Sequence, residues 1–449
     1  GGFSQDSTGN LVAGTDAGSS IDSDTCFNIL LGEDAGCCIN AGDHNIAIGC
    51  KAGALICGGS SNVLLGCMNG CKITSGNDNI ILGKAAGQST PTTGSDNIIM
   101  GKMAGNEGCS GGLSQNIFLG KYAGYYNGSC NNIFMGTGAG RAYNVGCCNI
   151  GIGLYALKGA TLNTSAANSN IAFGNCAGCS MTTGDYNIFA GLRAGRYNST
   201  AASNVFLGTL AGEKVTTGGY NIAIGRAMTS GTVTGTSNIA IGKEAGCQLT
   251  SGSCNTFIGF CAGRNNTSAS QNTFIGRYAG AGNTSGVGNL VIGDNAAINS
   301  TFFQNIIAIG CCSAAFGFGS SDGNGGIAIG TCAARFATVN IIAIGANAGC
   351  QTTGVQNTLV GVNAGLNNTS GKYNTFFGHA AGSVNVSGCC NTAVGRGALG
   401  GNCTGTKNIA IGACSGPQSS NASGNANYFG GYKSGNALTS GSCNVFLGV

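Results

Sequence analysis

Several residue types that ordinary globular proteins rely on are scarce in this sequence. Charged residues make up only 8% of the 449 residues, proline and histidine occur twice each, and tryptophan is absent. A net charge of +4 is too weak to indicate nucleic acid or an anionic membrane as a partner. No apolar run approaches the roughly 20 residues of a membrane-spanning helix, so we expect no membrane insertion.

The same scarcity argues against catalysis. The two histidines, His44 and His379, stand far apart, and the acidic residues scatter without forming a repeated pair. Cys176 and Cys179 form a C-x-x-C with no second pair at zinc-site spacing, so we interpret them as structural. We therefore expect no enzyme, no catalytic residue, no metal and no cofactor.

A short repeat accounts for most of the sequence. It is clearest from Asn238 to Gly276, where two complete copies of a 17-residue unit follow each other. The template is N-h-h-h-G-x-x-A-G followed by a polar run, where h is apolar. Starting from Asn10 there are 26 copies, and glycine occupies position five in all of them. A repeat of this kind determines the architecture before any local motif does.

Seventeen residues are too few for two packed helices, whose repeats need roughly 30 or more. The apolar triplet is rich in β-branched and aromatic residues, and Asn and Gly bracket it as turn residues. The sequence therefore predicts an all-β parallel β-solenoid (β-roll) of about 26 coils, with a lead-in segment at residues 1–9 and a single repeat domain at 10–449.

Stacking of coils about 4.8 Å apart turns each template position into a ladder of like residues. Asparagine holds position one in 23 of 26 copies, the exceptions being Ile306, Gly326 and Ile341. An amide stacked on its own kind can donate to one neighbour and accept from the other. Position five is expected to need a positive φ or to lack room for a Cβ.

Both faces of the strand are apolar. Positions two and four point to one side and position three to the other, yet position three is also apolar. One face would fill the thin core and the other would leave a long hydrophobic stripe, which favours association of identical chains. The alternative is that return segments of the same chain cover both faces. The candidate oligomer interface consists of the position-three phenylalanines Phe118, Phe134, Phe189, Phe206, Phe257, Phe274 and Phe376.

The 25 cysteines suggest disulfides between neighbouring coils. Residues at the same template position in adjacent coils lie within disulfide reach, and such bridges fit an oxidising, extracellular setting. The alternative is that the thiols are free and fill a thin core. The candidate ladder pairs are Cys50 with Cys67, Cys130 with Cys147, and Cys312 with Cys332.

Sequons of the form N-x-S/T point to the same compartment, because they fall in the polar return segment where a surface loop would carry a glycan. Some of the twelve are expected by chance in a chain this rich in Asn, Ser and Thr. Our candidate glycosylation sites are Asn127, Asn198, Asn266, Asn283, Asn368 and Asn385. The other six are Asn163, Asn265, Asn299, Asn367, Asn402 and Asn421.

Basic residues recur at positions six and seven and offer two interpretations. Stacked along the coils they could form a broken positive stripe that meets anionic glycans. They could equally be a solvated corner that keeps the protein soluble, which we favour. The set includes Lys51, Lys84, Lys102, Lys121, Arg193, Arg226, Lys243, Arg277 and Arg396.

The strings NIAIGKEAG, NTFIGRYAG and TTGGYNIAIG resemble the N-x-x-x-G-x-x-A-G repeat region of viral and bacteriophage tail-fibre-like proteins. More distantly they are similar to the N-S-V-A-I-G head repeats of trimeric autotransporter adhesins. The resemblance covers Asn10 to Gly448 and implies a β-roll, three chains around one axis, and attachment at a virion or cell surface. Departures are the longer period, the many cysteines, and the lack of a chaperone, neck or anchor segment.

The sequence thus predicts a structural fibre, outside the cell or on a virion, formed by a homotrimer and used for adhesion or as a spacer. Its partners would be copies of itself and a host-surface receptor or glycan. One alternative is a subunit of an end-to-end polymerised extracellular filament, which an open last strand at Asn444–Gly448 would permit. Another is a surface-binding solenoid that recognises ice or glycans, although threonine occupies position two at only five places.

Overall fold

The structure is a computed structural model. It describes residues 5–88, 93–106, 113–142, 146–160, 166–316, 325–337 and 340–449. They fall into two compact units, Gly1–Thr229 and Ser230–Val449. The prediction of a single repeat domain stays a prediction. The sequon at Asn163 lies outside the described residues.

Within the described residues all regular structure is β, in strands of three residues. In the first unit the strands are β1 (Leu11–Ala13), β2 (Ile29–Leu31), β3 (Ile46–Ile48), β4 (Val63–Leu65), β5 (Ile80–Leu82), β6 (Ile98–Met100), β7 (Ile117–Leu119), β8 (Ile133–Met135), β9 (Ile150–Ile152), β10 (Ile171–Phe173), β11 (Ile188–Ala190), β12 (Val205–Leu207) and β13 (Ile222–Ile224).

The second unit has the same organisation. Its strands are β14 (Ile239–Ile241), β15 (Thr256–Ile258), β16 (Thr273–Ile275), β17 (Leu290–Ile292), β18 (Ile307–Ile309), β19 (Ile327–Ile329), β20 (Ile342–Ile344), β21 (Thr358–Val360), β22 (Thr375–Phe377), β23 (Thr392–Val394), β24 (Ile409–Ile411), β25 (Tyr428–Gly430) and β26 (Val445–Leu447).

Consecutive strands within each unit pair in parallel and in register. Thr256 of β15 faces Thr273 of β16, and Phe257 faces Phe274, so each template position lies beside the same position one coil on. Each coil thus adds one strand to a stack, as the 17-residue period predicts. The fold class, an all-β parallel β-solenoid, is confirmed.

The glycine at position five ends each strand. Gly259 has a φ of +131°, and a Cβ added to it would lie 2.5 Å from the carbonyl oxygen of Gly276 in the next coil. Both expected reasons for this glycine therefore apply together: a backbone conformation that disfavours side chains and a close approach of neighbouring coils.

A second tight corner follows at positions seven to nine. Position seven adopts the left-handed conformation even for large side chains such as Lys51 (φ 58°) and Tyr122 (φ 60°). Position nine is usually glycine, and a Cβ on Gly263 would lie 2.6 Å from the ring of Phe257. The chain then turns back, because the amide N–H of Asn266 donates to the carbonyl oxygen of Gly263 at 3.0 Å.

The position-one asparagines form the predicted amide ladder. Asn255 donates from its backbone N–H and from its side-chain Nδ2 to Oδ1 of Asn238, at 3.0 and 2.9 Å. Its Nδ2 also donates to the carbonyl oxygen of Ala269 at 2.8 Å, which ties the end of the coil to its beginning. Asn272 repeats the pattern by donating its N–H to Oδ1 of Asn255.

At the first coil, a carboxylate takes the place of the missing asparagine. Asp6 accepts the backbone N–H of Asn10 at 2.7 Å on one oxygen and Nδ2 of Asn10 at 2.9 Å on the other. Gln5 forms an antiparallel bridge with Leu11 on the side of β1 away from β2. The donors of Asn10 that face away from the stack are therefore satisfied within the chain.

Candidate interaction surface

The middle residue of each strand points into the coil. Phe257 and Phe274 are fully buried, with ring centroids 5.4 Å apart, and they pack against Gly263 and Gly280 of the return turn. The sequence pattern predicts an oligomer interface at the position-three phenylalanines. That assignment is wrong for these side chains, since each has no exposed surface in the chain itself. The set is Phe118, Phe134, Phe189, Phe206, Phe257, Phe274 and Phe376.

Neighbouring coils follow no regular size pattern at position three. Phe257 faces Phe274 and Phe189 faces Phe206, whereas Phe376 faces Ala393. The sizes of the position-three residues therefore do not reveal from the sequence which face of the strand is inside.

Positions two and four are the residues that point outward, so they form the exposed apolar face, which we call the outer strip. In the first unit it runs along β1 to β13 with isoleucine, valine, leucine, methionine, phenylalanine or alanine at every position. Its most exposed members are Ile48, Leu65, Ile80, Ile98, Met100, Met135, Phe173 and Ile188.

The outer strip of the second unit follows the same positions along β14 to β26. Threonine enters it at Thr256, Thr273, Thr358, Thr375 and Thr392. Among its exposed members are Ile342, Phe377, Val394, Ile409, Ile411 and Tyr428. No strand residue in either unit is charged.

Thirteen strands spaced about 4.8 Å apart give each unit an outer strip about 60 Å long. Scattered apolar residues on a surface need no explanation, but a contiguous apolar patch marks an interaction site. The apolar stripe expected from the sequence therefore exists, and it lies on the face opposite to the phenylalanines.

The six candidate glycosylation sites are buried, which contradicts their assignment. Each occupies template position twelve, where the chain points a side chain into the coil, and no glycan can be carried at such a position in the folded chain. Their exposed fractions are at most 1%: Asn127, Asn198, Asn266, Asn283, Asn368 and Asn385. Among the other sequons, Asn299 and Asn421 are exposed.

In the second unit, position twelve forms a short amide ladder of its own. Asn385 donates from Nδ2 to Oδ1 of Asn368 at 2.8 Å, and Asn402 donates likewise to Asn385 at 3.2 Å. Other copies place Ile56 or Leu249 at the same position, fully buried. The occurrence of isoleucine or leucine at position twelve in other copies was the sequence signal for a core position. Interpretation of the asparagines as sequons overlooked it.

The three proposed cysteine pairs differ in their geometry. The sulfurs of Cys130 and Cys147 lie 3.6 Å apart across adjacent coils, so this pair is brought together as free thiols. Cys50 instead contacts the carboxylate of Glu33 at 3.6 Å, and burial, more than Glu33 or Cys67, raises the pKa of its thiol. In the last pair, the close neighbour of Cys312 is Cys311, at 3.6 Å, rather than Cys332.

Basic side chains at the corners pair with acids one coil away. Arg277 makes a bidentate contact with Asp294, at 2.7 and 2.8 Å, and this contact lowers the pKa of the Asp294 carboxyl. Lys51 lies 4.0 Å from Asp34. These exposed pairs partly neutralise the positive stripe and agree with a solvated corner, which is the interpretation favoured above.

A surface groove of about 570 Å³ lies in the second unit, where Ala281 and Gly282 replace the bulkier corner residues of the preceding coil. Arg264, Tyr278 and Asn299 are among the residues that line it. The guanidinium of Arg264 is partly neutralised by Glu244, at 3.5 Å. A ring face beside amide and guanidinium donors is chemistry suited to sugars.

Comparison with protein families and with curated proteins found no match to this chain. Within the described residues, no helix has the length and apolar character needed to cross a bilayer. The same residues contain no cluster of three or more His, Cys, Asp or Glu side chains arranged to hold a metal ion.

Proposed function

We propose that this protein is a structural subunit of a fibre that lies outside the cell or on a virion. The fibre is built by lateral association of identical chains, three of which close around one axis. The outer strip is the observation that carries this proposal. It is apolar, uncharged and repeated at every described coil, so two copies present matching surfaces along each unit.

Association in this form buries the outer strip of each chain against its neighbours and leaves the charged corners in water. The buried phenylalanines take no direct part, because they already fill the coil interior. Three-fold packing agrees with the resemblance of the repeat to trimeric fibres and adhesins. The fibre would act as a spacer or attachment element, and no step of catalysis is assigned to it.

The extracellular or virion location rests on the resemblance and on the cysteine content. The buried sequons do not support it. Attachment to a host receptor or glycan is supported by the groove at Arg264 and Tyr278, which offers a ring face and polar donors. This groove is also the observation that favours the second candidate, a glycan-binding solenoid.

End-to-end polymerisation receives less support. Stacking of a further coil on Asn10 requires its outward donors, and Asp6 already accepts both of them. A polymer joined there would first have to displace Gln5 and Asp6 from the edge of β1.

The test is the mass of the native particle by light scattering. We expect about three times the chain mass of 44.0 kDa. A variant with Ile98, Met100, Ile409 and Ile411 all changed to aspartate should become monomeric while its circular dichroism stays unchanged.

The matched control places four aspartates at exposed loop positions instead, and it should keep the assembly. The control positions are Thr200, Ser268, Ser387 and Thr404. A wild-type particle of 44.0 kDa would contradict lateral association, and filaments of indefinite length would favour end-to-end joining.

A further inference from the structure

Cys176 and Cys179 occupy template positions seven and ten of one coil, on the two sides of a tight turn. Cys176 has a φ of 55°, and Gly178 between them has a φ of 59°. Both residues line the same cavity, so the turn places the two cysteines on the same side of the coil. Two thiols three residues apart in such a turn can close a disulfide without unfolding the coil.

The two thiols line a cavity of about 220 Å³ in the first unit. Tyr155, Tyr197, Lys158 and Arg196 are among the residues that line it. No acidic side chain is among the described residues that line it, although Glu213 contacts Arg196 at 3.7 Å from outside.

The cations are held by the tyrosines. Lys158 Nζ lies 5.5 Å from the ring centroid of Tyr155, and the guanidinium of Arg196 lies 4.8 Å from that of Tyr197. These contacts hold both cations in place. Glu213 partly neutralises Arg196, so Lys158 supplies more of the uncompensated positive charge. Positive charge at a cavity attracts anionic reactants.

We propose that Cys176 and Cys179 form a reactive dithiol site for low-molecular-weight disulfides that carry carboxylates, with Lys158 and Arg196 binding the carboxylates. The Cys176 thiolate attacks one sulfur of the disulfide, which releases one thiol and leaves a mixed disulfide on Cys176. Cys179 then attacks the Cys176 sulfur, forms the Cys176–Cys179 disulfide and releases the second thiol. The added disulfide is the oxidant and gains the two electrons that the protein thiols lose.

One contact and one pKa shift distinguish the two thiols. Cys179 Sγ donates a weak hydrogen bond to the carbonyl oxygen of Arg196, at 3.9 Å. Burial, and after it the neighbouring Cys176 thiol, raises the pKa of Cys179. The raised pKa keeps Cys179 protonated while Cys176 reacts first. Cys179 then gives its proton to the thiolate released in the first step, and the Cys179 thiolate attacks the Cys176 sulfur.

The chain supplies a matched control in the pair Cys130 and Cys147. Their sulfurs are in contact, at 3.6 Å. The pKa of Cys130 is perturbed by Cys147 and by burial, with no charged side chain among its causes. This pair can therefore report the intrinsic reactivity of any disulfide toward two adjacent thiols of this protein.

The experiment treats the reduced 449-residue chain with glutathione disulfide, which is anionic, or with cystamine, which is cationic. The products are mapped by mass spectrometry after alkylation. For each cysteine pair we compare its oxidation rate with glutathione disulfide with its oxidation rate with cystamine. We expect the ratio of these two rates to be about tenfold or more higher for Cys176–Cys179 than for Cys130–Cys147. Added salt should reduce this preference. Equal preferences at the two pairs would overturn the proposal.

Two variants separate the roles. Lys158→Glu should reduce the preference for the anionic disulfide toward that of the control pair, whereas Lys158→Arg should retain it. Cys179→Ser should accumulate a mixed disulfide with one glutathione on Cys176, because the second step is blocked. Absence of that adduct in a folded variant would also overturn the proposal.

Discussion

Asn255 and Asn238 are joined by two hydrogen bonds that end on one acceptor atom. The backbone N–H and the side-chain Nδ2 of Asn255 both point to Oδ1 of Asn238, at 3.0 and 2.9 Å, and both residues are at most 1% exposed. Each asparagine thus satisfies the start of its own strand and the side chain of its neighbour. Coupling between coils in this solenoid is therefore polar as well as hydrophobic.

Asn255→Ala should be strongly destabilising. It removes the donor to the carbonyl oxygen of Ala269 and the acceptor for the N–H of Asn272, which leaves buried polar groups unpaired. We expect a loss of about 3 kcal/mol in the free energy of local opening. Hydrogen exchange should show lower protection in adjacent coils, and Asn299→Ala at an exposed position should leave it unchanged.

Gly259→Ala tests the corner at position five. The new Cβ would lie 2.5 Å from the carbonyl oxygen of Gly276, at a φ of +131° that side chains avoid. We expect destabilisation of at least about 2 kcal/mol in denaturant unfolding. Gly58→Ala is the control, since nothing lies within 4 Å of its added Cβ. Similar stability of the two variants would contradict this account of the corner.

The asparagine and glycine ladders could be predicted because each depends on one template letter and on local chemistry. Amides at the same position in strands about 4.8 Å apart can hydrogen-bond to one another. A glycine at a positive φ can be predicted without knowing which residues surround it. Asn255 and Gly259 accordingly behave as the repeat predicts.

The sequence could not show in the same way which face of each strand points into the coil. Alternation places Phe257 opposite Thr256 and Ile258, but it does not say which side is inside. The turns determine which face is inside. Position seven adopts a left-handed conformation with residues as different as Lys51 and Tyr122, so no residue type identifies this turn in the sequence. The sequons failed for a related reason: Asn266 lies in a polar run, but its side chain points inward.

Phe257→Ala tests the corrected assignment of position three. The ring is fully buried and stacks on Phe274 at 5.4 Å, so its removal leaves a cavity. We expect destabilisation by about 3–5 kcal/mol. Thr256→Ala, one residue earlier on the outer face, should cost less than about 1 kcal/mol. A larger loss of thermal stability in Thr256→Ala than in Phe257→Ala would indicate that position three lies on the outer face.

Cys130 and Cys147 should form a disulfide when the folded chain is mildly oxidised. Their sulfurs are 3.6 Å apart, so a small side-chain rotation suffices to bring them to bonding distance. The bond closes a loop of 17 residues and should stabilise the coils by about 3 kcal/mol. Non-reducing peptide mapping detects the link, and Cys147→Ser should abolish it. Complete alkylation of both thiols after oxidation would contradict the prediction.

The cap at Asp6 should make the first coil sensitive to acid. Hydrogen bonds from the side chain and backbone of Asn10 hold the pKa of the Asp6 carboxyl below its ordinary value. Stability from such a group is present above the unfolded pKa, near 3.9, and is lost as the pH falls through the lower folded pKa. Hydrogen-exchange protection of the Leu11 amide should therefore fall in strong acid before that of Ile188. Asp6→Ala should lower Leu11 protection at neutral pH and remove its pH dependence, whereas equal protection in the variant and the wild type would show that the cap contributes nothing.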